Sequence, residues 1–256
     1  MTLQTGSFVW YELMTTDLAA AQAFYSQVLG WRCADSGMPG MQYTLASAGP
    51  HQVGGMMTLT AEQRAAGVPA NWSGYVAVDD VDSKARSVVA LGGTVIHPST
   101  DIPGVGRFCV VGDPQGAVVV LFKDAGGEYT PPAPGTPGTV GWHELMTSAL
   151  DPAWDFYSRA FGWTQDEAMD MGPMGTYQLF SAGSGPTGGM MKRPPEMPVS
   201  AWLYYFNVEG LDAALERVKS GGGQLCNGPM EVPGGSWVAQ CADPQGVMFA
   251  LVATQR

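Results

Sequence analysis

The chain has 256 residues, 45% of them hydrophobic and 14% charged, with a formal net charge of −11. This length allows two domains of ordinary size, each able to bury its own core. The 12 Lys and Arg residues are too few for the clustered positive charge that a nucleic acid or an anionic membrane surface requires. No apolar stretch reaches the ~18 residues of a membrane span, and the N-terminus lacks the features of a signal peptide, so a cytoplasmic location is expected.

The first elements along the chain are a strand and a capped helix. Residues 6–16 alternate in the manner of a half-buried strand. Asp17 is placed to cap a helix whose apolar residues share one face, and Gly30 is placed to end it. Two further strands are expected at residues 42–46 and 52–59.

A similar run of elements follows in the same half. A strand at 74–78 precedes a helix at 81–91, and three short strands follow at 94–97, 107–111 and 117–122. The order is therefore β-α-β-β(-β), present twice before residue 125. Abundant glycine and proline, 35 and 19 residues, suit short strands joined by tight turns.

The second half repeats the first. Trp10-Tyr11-Glu12 returns as Trp142-His143-Glu144, and Phe-Tyr, Gly-Gly-Met-Met and Asp-Pro-Gln-Gly segments also recur. A period this long indicates duplicated domains. Between the halves lies a Pro/Gly-rich stretch, which behaves as a semi-extended spacer. We therefore predict domains at 1–124 and 140–256, joined by a linker at 125–139.

Four cysteines occupy positions that do not correspond between the two halves, namely Cys33, Cys109, Cys226 and Cys241. A duplicated disulfide or metal framework would have repeated its cysteine positions. Free thiols in a reducing compartment are therefore expected.

The order of these motifs resembles the vicinal oxygen chelate superfamily, which includes glyoxalase I, bleomycin-resistance proteins, extradiol dioxygenases and fosfomycin-resistance enzymes. The resemblance rests on Thr-Thr-Asp after the first strand, Phe-Tyr and Leu-Gly-Trp around the helix, Val-Asp-Asp-Val, and Asp-Pro-Gln-Gly. It implies an α+β fold of two tandem domains. In each domain, paired βαβββ modules would form a curled, cup-like mixed sheet around a ligand cavity, with helices on the outside. Such a scaffold does not by itself fix a function.

The resemblance also implies a divalent metal held by cleft-facing His, Gln or Glu side chains. The corresponding positions here are Trp10, Met56, Ser73, Val120, Trp142, Met190, Leu203 and Ala250. None suits a hard or borderline divalent ion, so no cofactor is expected. The alternative is a strand displaced by one residue, which would present His143 beside Glu144 as metal ligands.

Glutamates on the first strand of each domain are the candidate catalytic residues. Because strand side chains alternate, Glu12 shares a face with Trp10 and Met14 and should look into the cup, as should Glu144. Poor solvation there would raise the carboxyl pKa and suit a general acid, a general base or a ligand anchor. Alternatively, each glutamate pairs with a nearby Arg or Tyr, or lies in water at a strand end.

Aromatic and methionine side chains on the strands expected to line the cups are the candidate ligand-binding residues. They are Trp10, Met14, Met56, Trp72, Tyr75, Trp142, Met146, Met190, Trp202 and Tyr205. His97 and Asn207, whose counterparts in the other half are Asn227 and Ala77, are further candidates. An apolar cavity with few polar contacts suits a flat or hydrophobic molecule. The competing interpretation is that these residues pack the core.

Two hypotheses about function follow. The first is a bleomycin-resistance-like protein that binds a small hydrophobic or aromatic molecule without the usual metal. The second is a glyoxalase-like enzyme, whether lyase, isomerase, hydroxylase or dioxygenase, using a cleft Glu or a shifted metal site. Either is compatible with a monomer or a homodimer, because one chain already carries four modules.

Overall fold

The computed structural model describes residues 3–126, 130–183 and 185–256. In these residues a strand, a helix and three strands follow one another four times. Among the described residues, none of the helices has the length and apolar character of a membrane span. Residues 127–129, inside the predicted linker, lie outside the described part.

The first half contains eight strands and three helices. They are β1 (Phe8–Thr15), α1 (Leu18–Leu29), β2 (Arg32–Asp35), β3 (Tyr43–Ala48), β4 (His51–Thr58), α2 (Ala61–Ala65), β5 (Asn71–Ala77), α3 (Val81–Ala90), β6 (Thr94–Ile102), β7 (Gly106–Gly112) and β8 (Val118–Asp124).

The second half repeats this order without a counterpart of α2. Its elements are β9 (Val140–Thr147), α4 (Leu150–Phe161), β10 (Thr164–Asp170), β11 (Thr176–Ser181), β12 (Pro186–Lys192), β13 (Ala201–Asn207), α5 (Leu211–Ser220), β14 (Gln224–Glu231), β15 (Trp237–Ala242) and β16 (Met248–Ala253). A short 3₁₀ turn, Gly172–Met174, precedes β11.

Each half forms one mixed eight-stranded sheet. The strand orders are β2-β3-β4-β1-β5-β8-β7-β6 and β10-β11-β12-β9-β13-β16-β15-β14. The first sheet contains parallel pairs, such as β1 with β4, and antiparallel hairpins, such as β3 with β4. The predicted α+β class with paired βαβββ modules is confirmed.

Local sequence explains where the first helix begins and ends. The Asp17 side chain accepts a hydrogen bond from the Ala20 backbone N–H at 3.0 Å, and Gly30 closes α1 with φ of 72°. Both were expected from the sequence. Strand β2 and helix α2 were not expected, although Thr60 and Gln63 form a capping box at the start of α2.

The chain also divides into two compact units, each drawing on both halves. Unit 1 comprises Met1–Trp10, Ser73–Thr130 and His143–Trp202, and unit 2 comprises Tyr11–Trp72, Pro131–Trp142 and Leu203–Arg256. The sequence repeat and the compact units therefore divide the chain differently. The domain boundaries at residues 124 and 140 remain a prediction.

Unit 2 contains a buried series of hydrogen bonds that links residues of the first half to residues of the second half. The Tyr25 hydroxyl donates to Asp243 Oδ2 at 3.1 Å and accepts from Trp72 Nε1 at 3.0 Å. Asp243 Oδ1 accepts from the Gln245 and Val247 backbone N–H groups, both at 2.9 Å. Burial, followed by the neighbouring Asp243 charge, raises the pKa of Tyr25 well above its usual range.

Unit 1 repeats the arrangement with the halves exchanged. Trp202 Nε1 donates to the Tyr157 hydroxyl at 2.9 Å. Burial raises the pKa of Asp113, and the Tyr157 hydroxyl partly opposes that rise. The Phe-Tyr and Asp-Pro-Gln-Gly motifs therefore serve the core, because the tyrosine of one half meets the aspartate of the other.

Candidate functional site

In unit 2, Glu12 lies beside a glycine that makes room for a tyrosine. Strand partners Glu12 and Gly55 face each other in the parallel β1–β4 pair, so positions 12 and 55 share one face. A Cβ at Gly55 would overlap the Tyr43 ring. The glycine thus lets the Tyr43 ring lie directly on the backbone next to Glu12. We call this surface, with Met14 and Met57, the Glu12 face.

Unit 1 carries the same arrangement. Glu144 and Gly189 are partners in the parallel β9–β12 pair, and a Cβ at Gly189 would overlap the Tyr177 ring. Glu144 is only 6% exposed. This surface, with Met146 and Met191, is the Glu144 face. Neither tyrosine was among the residues selected from the sequence, although each lies on the strand that forms a hairpin with the Gly-Gly strand.

The structure changes which methionines line these faces. Met56 is the strand partner of Leu13, and Met190 that of Leu145. Both methionines are 0% exposed and lie on the side opposite the glutamates, because neighbouring strand residues alternate. Met56 and Met190 are therefore packed in the core, and their expected contact with a ligand stays a prediction. Met14 and Met146 lie on the glutamate faces as expected.

Trp10 and Trp142 precede each glutamate by two residues. Strand alternation places them on the same side as Glu12 and Glu144, and both are partly exposed. That Trp10 and Trp142 contact a ligand stays a prediction.

His143 lies on the other side of β9, in the core of unit 1. Its ring stacks on Phe8 with centroids 4.1 Å apart, its Nδ1 lies 2.8 Å from the Thr187 carbonyl oxygen, and it is 5% exposed. Burial lowers its pKa to about 4, with the Thr187 bond opposing the shift. Because His143 and Glu144 point to opposite faces, they do not form the shifted metal site considered above.

The donor set elsewhere does not fit the family's divalent metal either. In residues 3–126, 130–183 and 185–256, no three His, Cys, Asp or Glu side chains come together as metal ligands require. We therefore derive no chemistry through a metal. The expectation that the protein works without a cofactor remains a prediction.

Two of the selected tryptophans belong to the core. Trp72 and Trp202 are 6% and 7% exposed, and each donates its indole N–H to a buried tyrosine, Tyr25 or Tyr157. A buried tryptophan needs such a partner for its N–H. Packing and hydrogen bonding account for these two side chains, and their expected contact with a ligand stays a prediction.

Asn207 is likewise engaged within unit 2. Its Nδ2 donates to the carbonyl oxygen and the hydroxyl of Thr139, both at 3.1 Å. A Cβ at Gly141 would overlap the Asn207 amide. The side chain therefore fixes the start of β9, and its expected contact with a ligand stays a prediction.

Tyr75 and His97 lie on one row of side chains that crosses four strands of unit 1. Strand partners join Tyr75 to Val120, Val120 to Val110 and Val110 to His97. We call these four residues the first row. The His97 ring stacks on Phe108 at 5.5 Å, so this surface is apolar and aromatic.

Tyr205 lies on the corresponding row of unit 2, which is polar. Strand partners join Tyr205 to Ala250, Ala250 to Gln240 and Gln240 to Asn227; these four residues form the second row. Gln240 Nε2 donates to the Tyr205 hydroxyl at 3.1 Å, and Asn227 Nδ2 donates to Gln240 Oε1 at 3.3 Å. Sequence reasoning missed Gln240, because only the sheet order brings it beside Tyr205.

An open groove of about 850 Å³ between α5 and β14 lies apart from the selected residues. Its lining includes Asp212, Leu215, Glu216, Leu225 and Arg256. None of the residues selected from the sequence is in its lining.

The family model of the Glyoxalase/Bleomycin resistance protein/Dioxygenase superfamily matches residues 7–121 and 139–251. The chain therefore belongs to this superfamily and carries its domain twice. The resemblance found in the sequence is confirmed.

Two relatives match along almost their whole length. A Mycobacterium tuberculosis (strain CDC 1551 / Oshkosh) protein called "Putative glyoxylase CFP32" is 33% identical over 245 residues, covering 95% of this chain and 93% of that protein. "Anthracycline biosynthesis protein DnrV" of Streptomyces peucetius is 32% identical over 268 residues, covering 96% and 93%.

Solved structures share the fold. A Mn(II)-bound glyoxalase from Novosphingobium aromaticivorans has a TM-score of 0.67 at 18% identity, covering 99% of this chain and 83% of that one. The 2,3-dioxygenase LapB from Pseudomonas sp. KL28 has a TM-score of 0.65 at 14% identity, covering 98% and 92%. Such low identities concern the fold alone.

Proposed function

We propose that this protein binds a small aromatic, polycyclic molecule on the Glu12 face and the Glu144 face, without a metal. The observation that carries the proposal is the duplicated arrangement in which Tyr43 and Tyr177 lie on glycines beside Glu12 and Glu144. Each face combines a carboxylate, a phenol and two methionines. That combination suits a flat apolar ligand oriented by one or two polar groups.

The name of the Streptomyces relative supports a particular ligand class. That relative is an anthracycline biosynthesis protein, and anthracyclines contain a hydroxylated polycyclic quinone. A phenolic hydroxyl on such a ring would donate to the Glu12 or Glu144 carboxylate, while the methionines contact the ring. A hydrogen bond to a charged group contributes about 1.5–3 kcal/mol.

The test is a titration with the hydroxylated anthraquinone alizarin, followed by quenching of tryptophan fluorescence. Saturable binding by the wild type is expected. In the double variant Glu12→Gln/Glu144→Gln, the Kd should rise about tenfold, since a neutral amide replaces each charged acceptor. Glu216→Gln, which changes an exposed glutamate of α5, is the matched control and should bind as the wild type does.

Replacing Gly55 tests the geometry directly. Gly55→Ala puts a methyl group where the Tyr43 ring lies, so the ring must move and affinity at the Glu12 face should fall. Absence of saturable quenching by the wild type, or equal affinity in the double variant and the wild type, would overturn the proposal.

A second candidate function is a metal-independent enzyme with Glu144 as general base. The observation that favours it is the burial of this carboxylate, at 6% exposure, beside Tyr177; buried carboxylates in clefts are often functional. Incubation with a hundredfold excess of alizarin distinguishes the two candidates. Unchanged mass together with unchanged chromatographic retention supports binding alone, whereas a product of changed mass or changed retention that is lost in Glu144→Gln supports the enzyme.

A further inference from the structure

The two rows give the two sheets different chemistry at equivalent positions. Tyr75 and Tyr205 occupy equivalent positions. Tyr75 pairs with Val120 in the parallel β5–β8 pair, and Tyr205 pairs with Ala250 in the parallel β13–β16 pair. The remaining positions of the two rows also correspond. The first row has Val120, Val110 and His97 where the second has Ala250, Gln240 and Asn227. The two glutamate faces therefore carry the same types of residue, whereas the two rows carry different ones.

The second row is organised as a chain of hydrogen bonds with a defined direction. Asn227 donates to the Gln240 oxygen at 3.3 Å, which turns the nitrogen of that carboxamide toward Tyr205, and Gln240 donates to the phenol oxygen at 3.1 Å. Because strands lie about 4.8 Å apart, the tyrosine reaches across β16 to meet Gln240. The small side chain of Ala250 leaves space for this bond.

We propose that the second row selects aromatic ligands that carry oxygen as a carbonyl or hydroxyl group, and that Gln240 is the specificity-determining residue. This inference rests on the proposed binding function. Gln240 is half-buried and Asn227 is exposed, whereas Tyr205 is 5% exposed. A ring oxygen can therefore form hydrogen bonds with the Gln240 carboxamide, which Tyr205 and Asn227 hold in place, whereas a hydrocarbon at the same place displaces water without replacing its hydrogen bonds. Val110 takes the place of Gln240 in the first row and imposes no such cost, so the first row should discriminate less.

Two probes that differ only in their ring oxygens isolate this effect. Anthraquinone-2-sulfonate and anthracene-2-sulfonate have the same number of fused rings and the same charge, and only the quinone carries carbonyl groups. Isothermal titration of the wild type should show a tighter and a weaker class of site for the quinone. The anthracene should show weak binding only.

The decisive variant is Gln240→Val, which installs the residue found at position 110 in the first row. The Kd of the tighter quinone class should rise about tenfold, as expected for one lost hydrogen bond, while anthracene binding stays as in the wild type. Asn227→Ala should give a smaller loss of the same selective kind, because Asn227 acts by orienting Gln240. Gln255→Val, at an exposed glutamine near the C-terminus, is the control for the type of substitution.

The outcomes separate this inference from the proposed function. If Gln240→Val weakens both probes equally, or neither, the second row does not select for oxygen and the inference is wrong, while binding itself stands. If the wild type binds neither these probes nor alizarin, the proposed function fails and the inference fails with it. Far-UV circular dichroism and the Tm of each variant show whether it is folded.

Discussion

The buried imidazole of His143 makes the stability of this protein depend on pH in a predictable way. In the folded chain the pKa of His143 is about 4 because burial disfavours the charged ring, whereas an unfolded chain has the ordinary value near 6.5. Between these values the unfolded chain takes up a proton that the folded chain does not. The stabilisation is therefore fully present above pH 6.5 and is lost as the pH falls toward 4.

The size of the effect follows from the separation of the two pKa values. At about 1.36 kcal/mol for each pKa unit, His143 lowers the free energy of unfolding by about 2 kcal/mol at pH 5 relative to pH 7. Below pH 4 the loss reaches about 3 kcal/mol. His143→Phe keeps an aromatic ring against Phe8 and removes the titration.

Urea unfolding of the wild type and His143→Phe at pH 7 and pH 5 measures this contribution. Other titrating groups affect both proteins, so the difference between their pH dependences isolates His143. The wild type should lose about 2 kcal/mol more than the variant between these values. His97→Phe, which replaces an exposed histidine, is the control and should behave as the wild type. Equal pH dependence in His143→Phe and the wild type would refute the assignment of a buried neutral imidazole.

Three further results are expected. Tyr25→Phe should lower the free energy of unfolding by about 2 kcal/mol, because it leaves buried hydrogen-bonding groups at Asp243 unsatisfied; urea denaturation measures this. Ellman's reagent at pH 8 should label exposed Cys226 in the native protein and Cys241 only in urea, since burial raises the pKa of Cys241 to about 12. A fragment of residues 1–126 should show no cooperative unfolding as a monomer, because each compact unit draws on both halves; analytical ultracentrifugation with thermal denaturation tests this.

Much of the local structure was predictable because it depends on neighbours in the sequence. Asp17 and Gly30 bound α1 through capping and a left-handed φ, which are properties of individual residues. Alternation along β1 and β9 correctly separated Glu144 from His143. The resemblance pointed to Met56 in the Gly-Gly-Met-Met segment, whereas Met57 lies on the Glu12 face, because the phase of β4 relative to β1 is set by their pairing.

The parts that the sequence did not reveal all depend on which strands become neighbours. Tyr43 is far from Glu12 in sequence, and only the β3–β4–β1 order carries its ring onto Gly55. Trp72 was selected for a ligand because nothing local indicates that its N–H will meet a tyrosine hydroxyl in the core. Gln240 was not selected because its bond to Tyr205 spans two strand pairs.

The sequence by itself determined the family, the repeat and most of the helices and strands, with β2 and α2 as exceptions. These follow from residue identity, spacing and strand alternation, which are short-range properties. Only the tertiary structure decided that Tyr25 bonds to Asp243, that His143 is a core residue and that one row is polar while its counterpart is apolar. Strand order and burial bring together side chains that are remote in sequence, and a hydrogen bond or a shifted pKa depends on that proximity.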